Sequence, residues 1–242
     1  MKLLIASPAA YGLMTTGYVQ SLLPVIAHLN HDGHEVAVKI QGTESLINRA
    51  RNTDATYALL NGFDKILFID ADMVFTYAQV KMLLESKRSI IGGTYPIKNF
   101  PITLNFNPLE DQCDLFGKDR QQDNYAQWSH KYADENGEAE VRHVPTGFLL
   151  IDTKVLADLT YKVDWYQNFN PDVKTTTTYY DFFPTTVVNH ELLSEDWGFC
   201  ETARKHGHKI YLQIKAVTGH IGTMHYALGQ REVITGQAPL IK

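Results

Sequence analysis

The chain alternates between short apolar runs without helical periodicity and longer stretches whose apolar residues recur every three or four positions. Runs of strand length occur at residues 3–7, 35–40 and 65–69. Periodic patterns between them predict helices over about 17–30 and 45–60, the second with Ser45 as its N-cap. This β-α-β-α-β order is typical of α/β proteins, so we predict a mainly parallel central sheet flanked by helices.

The second half of the chain is less regular. Residues 105–140 are polar and weakly periodic, which predicts a flexible surface insertion. Order returns with a strand within 144–152, a helix that opens at Ser194 and a strand at 209–214. Residues 164–190 are rich in aromatic side chains, which line pockets and fill cores equally well. No repeat or linker divides the chain, so we predict a single domain over 1–242.

Composition narrows the class of protein further. The 242 residues are 44% apolar, enough for an ordinary globular core, and their formal net charge of -5 gives no basic footprint for nucleic acid. No apolar run approaches the length of a membrane span, and residues 1–6 are too short for a signal peptide. Cys113 and Cys200 match no metal or redox spacing. We therefore expect a soluble, cytoplasmic protein.

Two carboxylates, Asp70 and Asp72, follow the buried strand predicted at 65–69. Ligands of open α/β sheets bind at the carboxyl ends of strands, and carboxylates there are costly unless a cation or hydrogen-bond donors meet them. One interpretation is that the pair presents oxygen ligands to a divalent metal that holds an anionic group. The alternative is that Asp72 turns the chain before the next helix while Asp70 accepts backbone hydrogen bonds.

Further candidates lie in the second half of the chain. Glu195 and Asp196 follow Ser194 at a helix start, where the helix dipole keeps a carboxylate ionised and able to act as a general base. Acidic residues also favour first turns without any catalytic role. His220, between two nearby glycines, can complete a metal site, although most histidines are not ligands and His225 competes with it.

Small residues mark two places where a ligand could approach the backbone. Gly147 opens a predicted strand, and the segment 7–12, with sequence SPAAYG, follows the first one. Turns also require glycine, so neither feature is specific alone.

In order along the chain, these marks resemble those of the GT-A class of nucleotide-sugar glycosyltransferases. Asp70-Ala71-Asp72 resembles the DxD motif, and residues 145–148 resemble the glycine-containing loop. Ser194-Glu195-Asp196 resembles the acidic xED motif, and His220 resembles the late C-terminal histidine. Residues 45–52 are also similar to a helix start in small bacterial and viral members. The resemblance covers most of the chain except 105–140 and the tail after 226.

The resemblance implies a GT-A fold, with a nucleotide-binding half over 1–100 and an acceptor half over 141–226. It implies that Mn²⁺ or Mg²⁺, held by Asp70, Asp72 and His220, bridges the phosphates of a nucleotide sugar. It also implies that Asp196, beside Glu195, deprotonates an acceptor hydroxyl for direct attack, with inversion at the anomeric carbon. The remaining donor-binding positions that it implies are Ser7, Pro8, Ala9, Tyr11, Arg51, Ala71 and Gly147.

The donor, acceptor and reaction class stay open at this point. UDP is the default nucleotide of the class, and the acceptor could be a glycan, a protein or a hydroxylated nucleobase in DNA. A haloacid-dehalogenase-type phosphatase also places Asp-x-Asp after an apolar strand, but normally after the first strand rather than the third. A non-catalytic nucleotide-sugar-binding protein would keep the metal pair without using Asp196.

Overall fold

Nineteen helices and strands form the part of the chain that the computed structural model describes, which comprises residues 1–99, 102–113, 122–170 and 174–222. The six α-helices are α1 Thr16–His31, α2 Ile47–Leu60, α3 Tyr77–Glu85, α4 Gln122–Tyr132, α5 Thr153–Leu159 and α6 Glu195–Lys205. The strands are β1 Lys2–Pro8, β2 Glu35–Gln41, β3 Lys65–Ile69, β4 Met73–Val74, β5 Ile90–Thr94, β6 Glu138–Val141, β7 Phe148–Asp152, β8 Trp165–Asn170, β9 Thr175–Tyr180, β10 Thr186–Val188, β11 Glu191–Leu193, β12 Ile210–Val217 and β13 Gly219–His220.

A seven-stranded sheet in the order β2-β1-β3-β7-β5-β12-β6 forms the centre of the molecule. Strands β1, β2, β3, β5 and β12 run in one direction, whereas β7 and β6 run against their neighbours. The predicted mainly parallel sheet with flanking helices is therefore confirmed. Strand β7 lies between β3 and β5, so the chain segment around Gly147 reaches the middle of the sheet beside the end of β3.

Both faces of the sheet are covered, because alternate residues of β1 enter two different cores. Leu3 and Ile5 pack with apolar side chains of α1 and α3, whereas Leu4 and Ala6 pack with those of α2, α5 and α6. Successive side chains of a strand point to opposite faces, and a continuous apolar run suits a strand that is buried on both. This explains why the apolar runs of the sequence show no helical period.

Two helix starts differ in how they are capped. Thr76 caps α3 through reciprocal hydrogen bonds with Gln79. The predicted N-cap Ser45 is wrong, because α2 begins at Ile47 after Leu46, which provides no side-chain cap. Instead, Glu44 Oε1 accepts a hydrogen bond of 3.0 Å from the backbone N of Leu46.

Within the segment 105–140, the described residues 105–113 and 122–140 do not form the flexible surface insertion that its polarity predicted. Its described residues include α4 and the edge strand β6 of the central sheet. Phe106 and Trp128 are fully buried in the same core as Phe199 of α6. A few large apolar side chains are enough to anchor this stretch, although most of its residues are polar.

Candidate active site

Arg51 of α2 joins the end of β3 to the start of α6. Its Nη2 donates to Asp70 Oδ1 at 3.0 Å, and its Nε donates to Glu195 Oε1 at 3.1 Å. The side chain is only 3% exposed, and a buried guanidinium is tolerated when carboxylates pair with it. Burial alone would lower the pKa of Arg51, but Asp70 and Glu195 raise it, so the group is a permanent cation. Its Nη1 has no hydrogen-bond partner among the residues that the structure describes.

Asp72 and His220 are brought together by strand pairing. Strand β13 pairs antiparallel with β4, with His220 opposite Met73, and Ile221 N donates to Asp72 O at 2.9 Å. As a result, His220 Nε2 lies 3.5 Å from Asp72 Oδ1. His220, which the sequence placed between two glycines, lies in a two-residue strand that pairs with the segment following Asp72.

The facing atoms of this pair fit a cation. His220 Nδ1 donates to Pro96 O at 2.9 Å, so in the neutral ring Nε2 carries a lone pair. Two acceptors, Nε2 and the Asp72 carboxylate, then face each other, and a proton or a metal ion between them would satisfy both. A backbone carbonyl that accepts a hydrogen bond from the other ring nitrogen, and so orients the ring, is the usual support of a metal-ligating histidine. Imidazole and carboxylate together suit Mn²⁺.

The predicted trio of metal ligands is only partly assembled. In the described ranges, no group of three acidic, histidine or cysteine side chains is placed to hold a metal ion. Asp70 bonds to Arg51, whereas Asp72 pairs with His220 and with Lys98 Nζ. Burial raises the pKa of Asp72, but His220 and Lys98 outweigh this effect and lower it to about 2. The structure therefore offers two protein ligands for a metal, Asp72 and His220, rather than three.

Gly147 leaves room for two polar groups at the centre of the site. A Cβ atom on this residue would lie 2.5 Å from Tyr95 Oη and 2.8 Å from Asp70 Oδ2, so only glycine fits. The backbone also contributes, since Asp70 N donates to Gly147 O at 3.1 Å. Tyr95 is buried and packs edge-on against His220, with ring centroids 4.9 Å apart. Gly147 thus has the close-approach role that the sequence suggested, but toward side chains of the protein itself.

Asp196 lies in the first turn of α6, and its carboxylate is held by local bonds. Ser194 Oγ donates to Asp196 Oδ1, and Trp197 N donates to the same oxygen at 2.8 Å. Burial and the neighbouring Glu195 carboxylate raise the pKa of Asp196 to about 6, which a general base working near neutral pH requires. Ser194 is the N-cap residue of α6 by position, but its hydroxyl binds Asp196 instead of capping the helix.

Several of these groups line a cavity of about 440 Å³, whereas Asp196, Gly147 and Tyr95 lie outside its lining. Pro8, Ala9, Ala71, Asp70 and Asp72 line it together with Arg51, Glu195 and His220. Most of the residues predicted from the sequence therefore lie around one cavity, which falls in the size range of ligand sites.

Besides Gly147, two predicted donor-binding residues lie outside the lining of this cavity. Ser7 is buried, and its hydroxyl forms a hydrogen bond of 2.5 Å with Tyr18 Oη rather than facing the cavity. Tyr11 is 93% exposed at a positive φ of 57° and does not line the cavity. His225, the competing histidine, lies outside the described residues, as do positions 223–226 of the predicted acceptor half.

Sequence reasoning missed Tyr95 and Lys98. Both follow β5, in a segment whose sequence shows no motif of the site. Tyr95 contacts His220 and Lys98 contacts Asp72. The pairing of β13 with β4 joins these two contacts, and no local sequence pattern predicts that pairing.

The sequence matches no protein-family model and no curated protein. The structure is similar to that of A197 from STIV, with a TM-score of 0.51 at 15% identity over 92% of this chain and 87% of that one. At this identity, the likeness concerns the fold alone.

Two further solved structures are more distant. GalNAc-T7 with UDP, GalNAc and Mn²⁺ aligns at a TM-score of 0.43 and 9% identity over 92% of this chain and 44% of that one. Residues 1–349 of S. aureus TarS in complex with UDP-GlcNAc align at 0.46 and 12% over 93% and 60%. The chain thus spans less than two thirds of either protein, and neither likeness is close enough to bear on function.

The fold is that of the GT-A class, as the sequence resemblance implied. Within the described part of the chain, no helix is both long and apolar enough to cross a membrane.

Proposed function

We propose that the protein is a divalent-metal-dependent glycosyltransferase that moves a sugar from a nucleotide sugar, with UDP as the nucleotide, to an acceptor hydroxyl. The observation that carries this proposal is the pairing of β13 with β4. This pairing sets His220 beside Asp72 at the wall of a cavity that Arg51 and Glu195 also line. A cation site and a permanent guanidinium charge on one cavity wall suit a ligand with two phosphates.

Different residues of the cavity would bind the metal ion, the nucleoside and the phosphates of the donor. Asp72 and His220 would hold Mn²⁺ or Mg²⁺, and Pro8, Ala9 and Ala71 give a small-residue wall for the nucleoside. A bound divalent ion would neutralise the phosphates and stabilise the leaving diphosphate as a Lewis acid. Arg51 orients Asp70 and Glu195 through its two hydrogen bonds. Its Nη1, which has no partner among the described residues, is a further donor beside the cavity. Residues 1–100 would thus form the nucleotide-binding half.

Asp196 would act as the general base. Its carboxylate takes the proton of the acceptor hydroxyl while the hydroxyl oxygen forms a bond to the anomeric carbon. The bond from that carbon to the phosphate oxygen breaks, and the nucleoside diphosphate leaves with the electron pair. Direct displacement of this kind inverts the anomeric configuration. The raised pKa of Asp196 favours proton uptake near neutral pH.

A panel of nucleotide sugars, titrated calorimetrically with and without Mn²⁺, tests the proposal. We expect at least one nucleotide sugar to bind only when the metal is present, and to release nucleoside diphosphate slowly by hydrolysis. If no member of the panel binds under either condition, the proposal fails.

The same samples separate the competing functions. Release of inorganic phosphate from p-nitrophenyl phosphate, with no nucleotide-sugar binding, would indicate a phosphatase. Tight binding without any turnover, unaffected by Asp196→Asn, would indicate a non-catalytic binding protein.

A further inference from the structure

A second and larger cavity, of about 800 Å³, adjoins the proposed donor cavity. We name it the hairpin cleft, because α2 and the end of β2 form one side of it and the β8–β9 hairpin forms the other. Glu44 lines both cavities. The hairpin cleft lies within the range of roughly 300–1,000 Å³ that small-molecule sites occupy, and the donor site described above does not use it.

The charges that line the hairpin cleft are already neutralised. Arg49 binds Glu44 through two hydrogen bonds of 2.5 and 2.7 Å. Lys39 Nζ lies 2.6 Å from Asp54 Oδ1 and 3.1 Å from Gln41 Oε1. Because each cation holds a carboxylate at hydrogen-bond distance, an anionic ligand would have to break an existing pair. The cleft therefore favours a neutral ligand.

Aromatic and hydroxyl side chains supply the rest of the lining. Phe169 is 66% exposed and Tyr57 is 40% exposed, although both rings are large and apolar. Between them, Asn168, Thr177 and Thr53 offer amide and hydroxyl groups. Open rings next to neutral hydrogen-bonding groups match a sugar, which presents apolar C–H faces and a rim of hydroxyls.

Among the described residues, two buried oxygens have no hydrogen-bond partner, one in the cleft lining and one on Asp54, which pairs with the lining residue Lys39. Thr56 Oγ1, on a lining residue that is 1% exposed, has no hydrogen-bond partner within the described ranges. The same holds there for Asp54 Oδ2, whose other oxygen binds Lys39. Buried polar atoms are normally satisfied, and both of these oxygens can accept hydrogen bonds. A ligand rich in hydroxyl donors, or water that it orders, would meet this need.

We propose that the hairpin cleft binds a neutral oligosaccharide, which is the acceptor of the transfer. Only the acceptor role rests on the function proposed above, because binding in the cleft requires neither donor nor metal. Of the acceptors that the sequence left open, the neutral lining favours a glycan over DNA, whose phosphates demand free cations.

The first experiment probes an array of immobilised neutral oligosaccharides with the full-length protein, without nucleotide sugar or metal. We expect binding of at least one neutral oligosaccharide. Phe169→Ala should weaken this binding by about 10-fold, equivalent to about 1.4 kcal/mol, and Asn168→Ala should weaken it as well. Trp165→Ala is the matched control, because this exposed ring lies on the same strand but outside the lining. Its binding should equal that of the wild type.

Three results would overturn the proposal: no neutral oligosaccharide binds, Phe169→Ala and Asn168→Ala both bind as the wild type does, or the protein captures only heparin or DNA. The acceptor role has its own test in the presence of donor and Mn²⁺. There, Phe169→Ala should raise the KM for the oligosaccharide and leave nucleotide-sugar hydrolysis unchanged. If oligosaccharides bind but no nucleotide sugar does, the proposed transferase function fails while the assignment of the cleft stands.

Discussion

His220 Nε2 faces Asp72 Oδ1 at 3.5 Å, on two strands of only two residues each. In this ladder Gly219 lies opposite Val74 and His220 lies opposite Met73. The backbone N of Ile221 donates a further hydrogen bond to Asp72 O. This short ladder, rather than a cluster of carboxylates, assembles the proposed metal site. His220 is therefore as important to the proposed metal site as Asp72, although the sequence drew attention mainly to the two aspartates.

Replacing either member of this pair should abolish metal-dependent donor binding. We expect Asp72→Asn and His220→Ala each to weaken Mn²⁺ affinity by about 100-fold or more, since even partners behind a metal ligand contribute about 10- to 100-fold. Mn²⁺ binding followed by electron paramagnetic resonance gives a readout that is independent of turnover. His31→Ala, an exposed histidine at the end of α1, is the control and should bind like the wild type. Undiminished Mn²⁺ binding by His220→Ala would contradict the assignment.

Asp196→Asn should slow transfer without weakening the donor complex. The amide keeps the size of the side chain but cannot accept the acceptor proton, and a positioned general base contributes about 10²- to 10⁴-fold. We therefore expect kcat to fall by that factor while calorimetry shows unchanged nucleotide-sugar affinity. Asp158→Asn, an exposed carboxylate bonded to Lys162, is the control. If Asp196→Asn transfers sugar at the wild-type rate, another residue must be the base.

The pH profile of the wild type follows from the surroundings of Asp196. Burial and Glu195 raise the pKa of this carboxyl to about 6, and the Arg51 cation opposes them. Burial raises the pKa values of Tyr95 and Cys200, and the Asp196 charge adds to this effect, so these two groups also lie near it. The base is active when ionised, so kcat/KM should be full above pH 6 and fall as the pH drops through it. A profile that stays flat from pH 7 to 4.5 would exclude the ionised carboxylate as the base.

Gly147→Ala should damage the site through overpacking. The added Cβ would lie 2.5 Å from Tyr95 Oη and 2.8 Å from Asp70 Oδ2, and overpacking of this kind costs about 1–3 kcal/mol. We expect weaker nucleotide-sugar binding together with a lower unfolding free energy. Adding Tyr95→Phe removes the nearest of the three clashing atoms, Tyr95 Oη, and should restore part of the loss. If the double variant is no better than Gly147→Ala alone, the hydroxyl is not the obstacle.

The parts of the candidate site that the sequence predicted are those in which a motif directly adjoins one strand or one helix. An apolar run with no helical period, followed by Asp70 and Asp72, predicted strand β3 and the edge of the sheet where these two residues line a cavity. Ser194 and Asp196 were found in the same way at the start of a helix. In each case the carboxylates directly adjoin the strand or helix that positions them, so their spacing along the chain was sufficient to predict where they lie.

Features that depend on tertiary packing escaped prediction. The Arg51–Glu195 bond joins residues 144 positions apart, and it exists because α2 and α6 pack on the same face of the sheet. Tertiary packing also brings Lys98 beside Asp72, although the sequence around Lys98 contains no functional motif. The prediction that Ser7 binds the donor was not supported for the same reason. Its hydroxyl forms a hydrogen bond with Tyr18, a contact that the local sequence pattern could not reveal.

The segment 105–140 offers a direct test of how a polar stretch can belong to a core. Trp128 of α4 is fully buried beside Phe106, with ring centroids 4.9 Å apart. Trp128→Ala should therefore lower the free energy of unfolding by about 3–5 kcal/mol, the usual cost of emptying a site that a large aromatic side chain filled. Urea titration monitored by circular dichroism measures the difference.

The control for Trp128→Ala is Tyr161→Ala, an aromatic residue that is 92% exposed. It should change the unfolding free energy by no more than about 0.5 kcal/mol, because exposed side chains away from special contacts contribute little. Equal stability of the two variants would mean that α4 lies loosely on the surface, as the polarity of its sequence alone predicts. A large difference would show that one buried ring outweighs the surrounding polar residues in deciding where this segment packs.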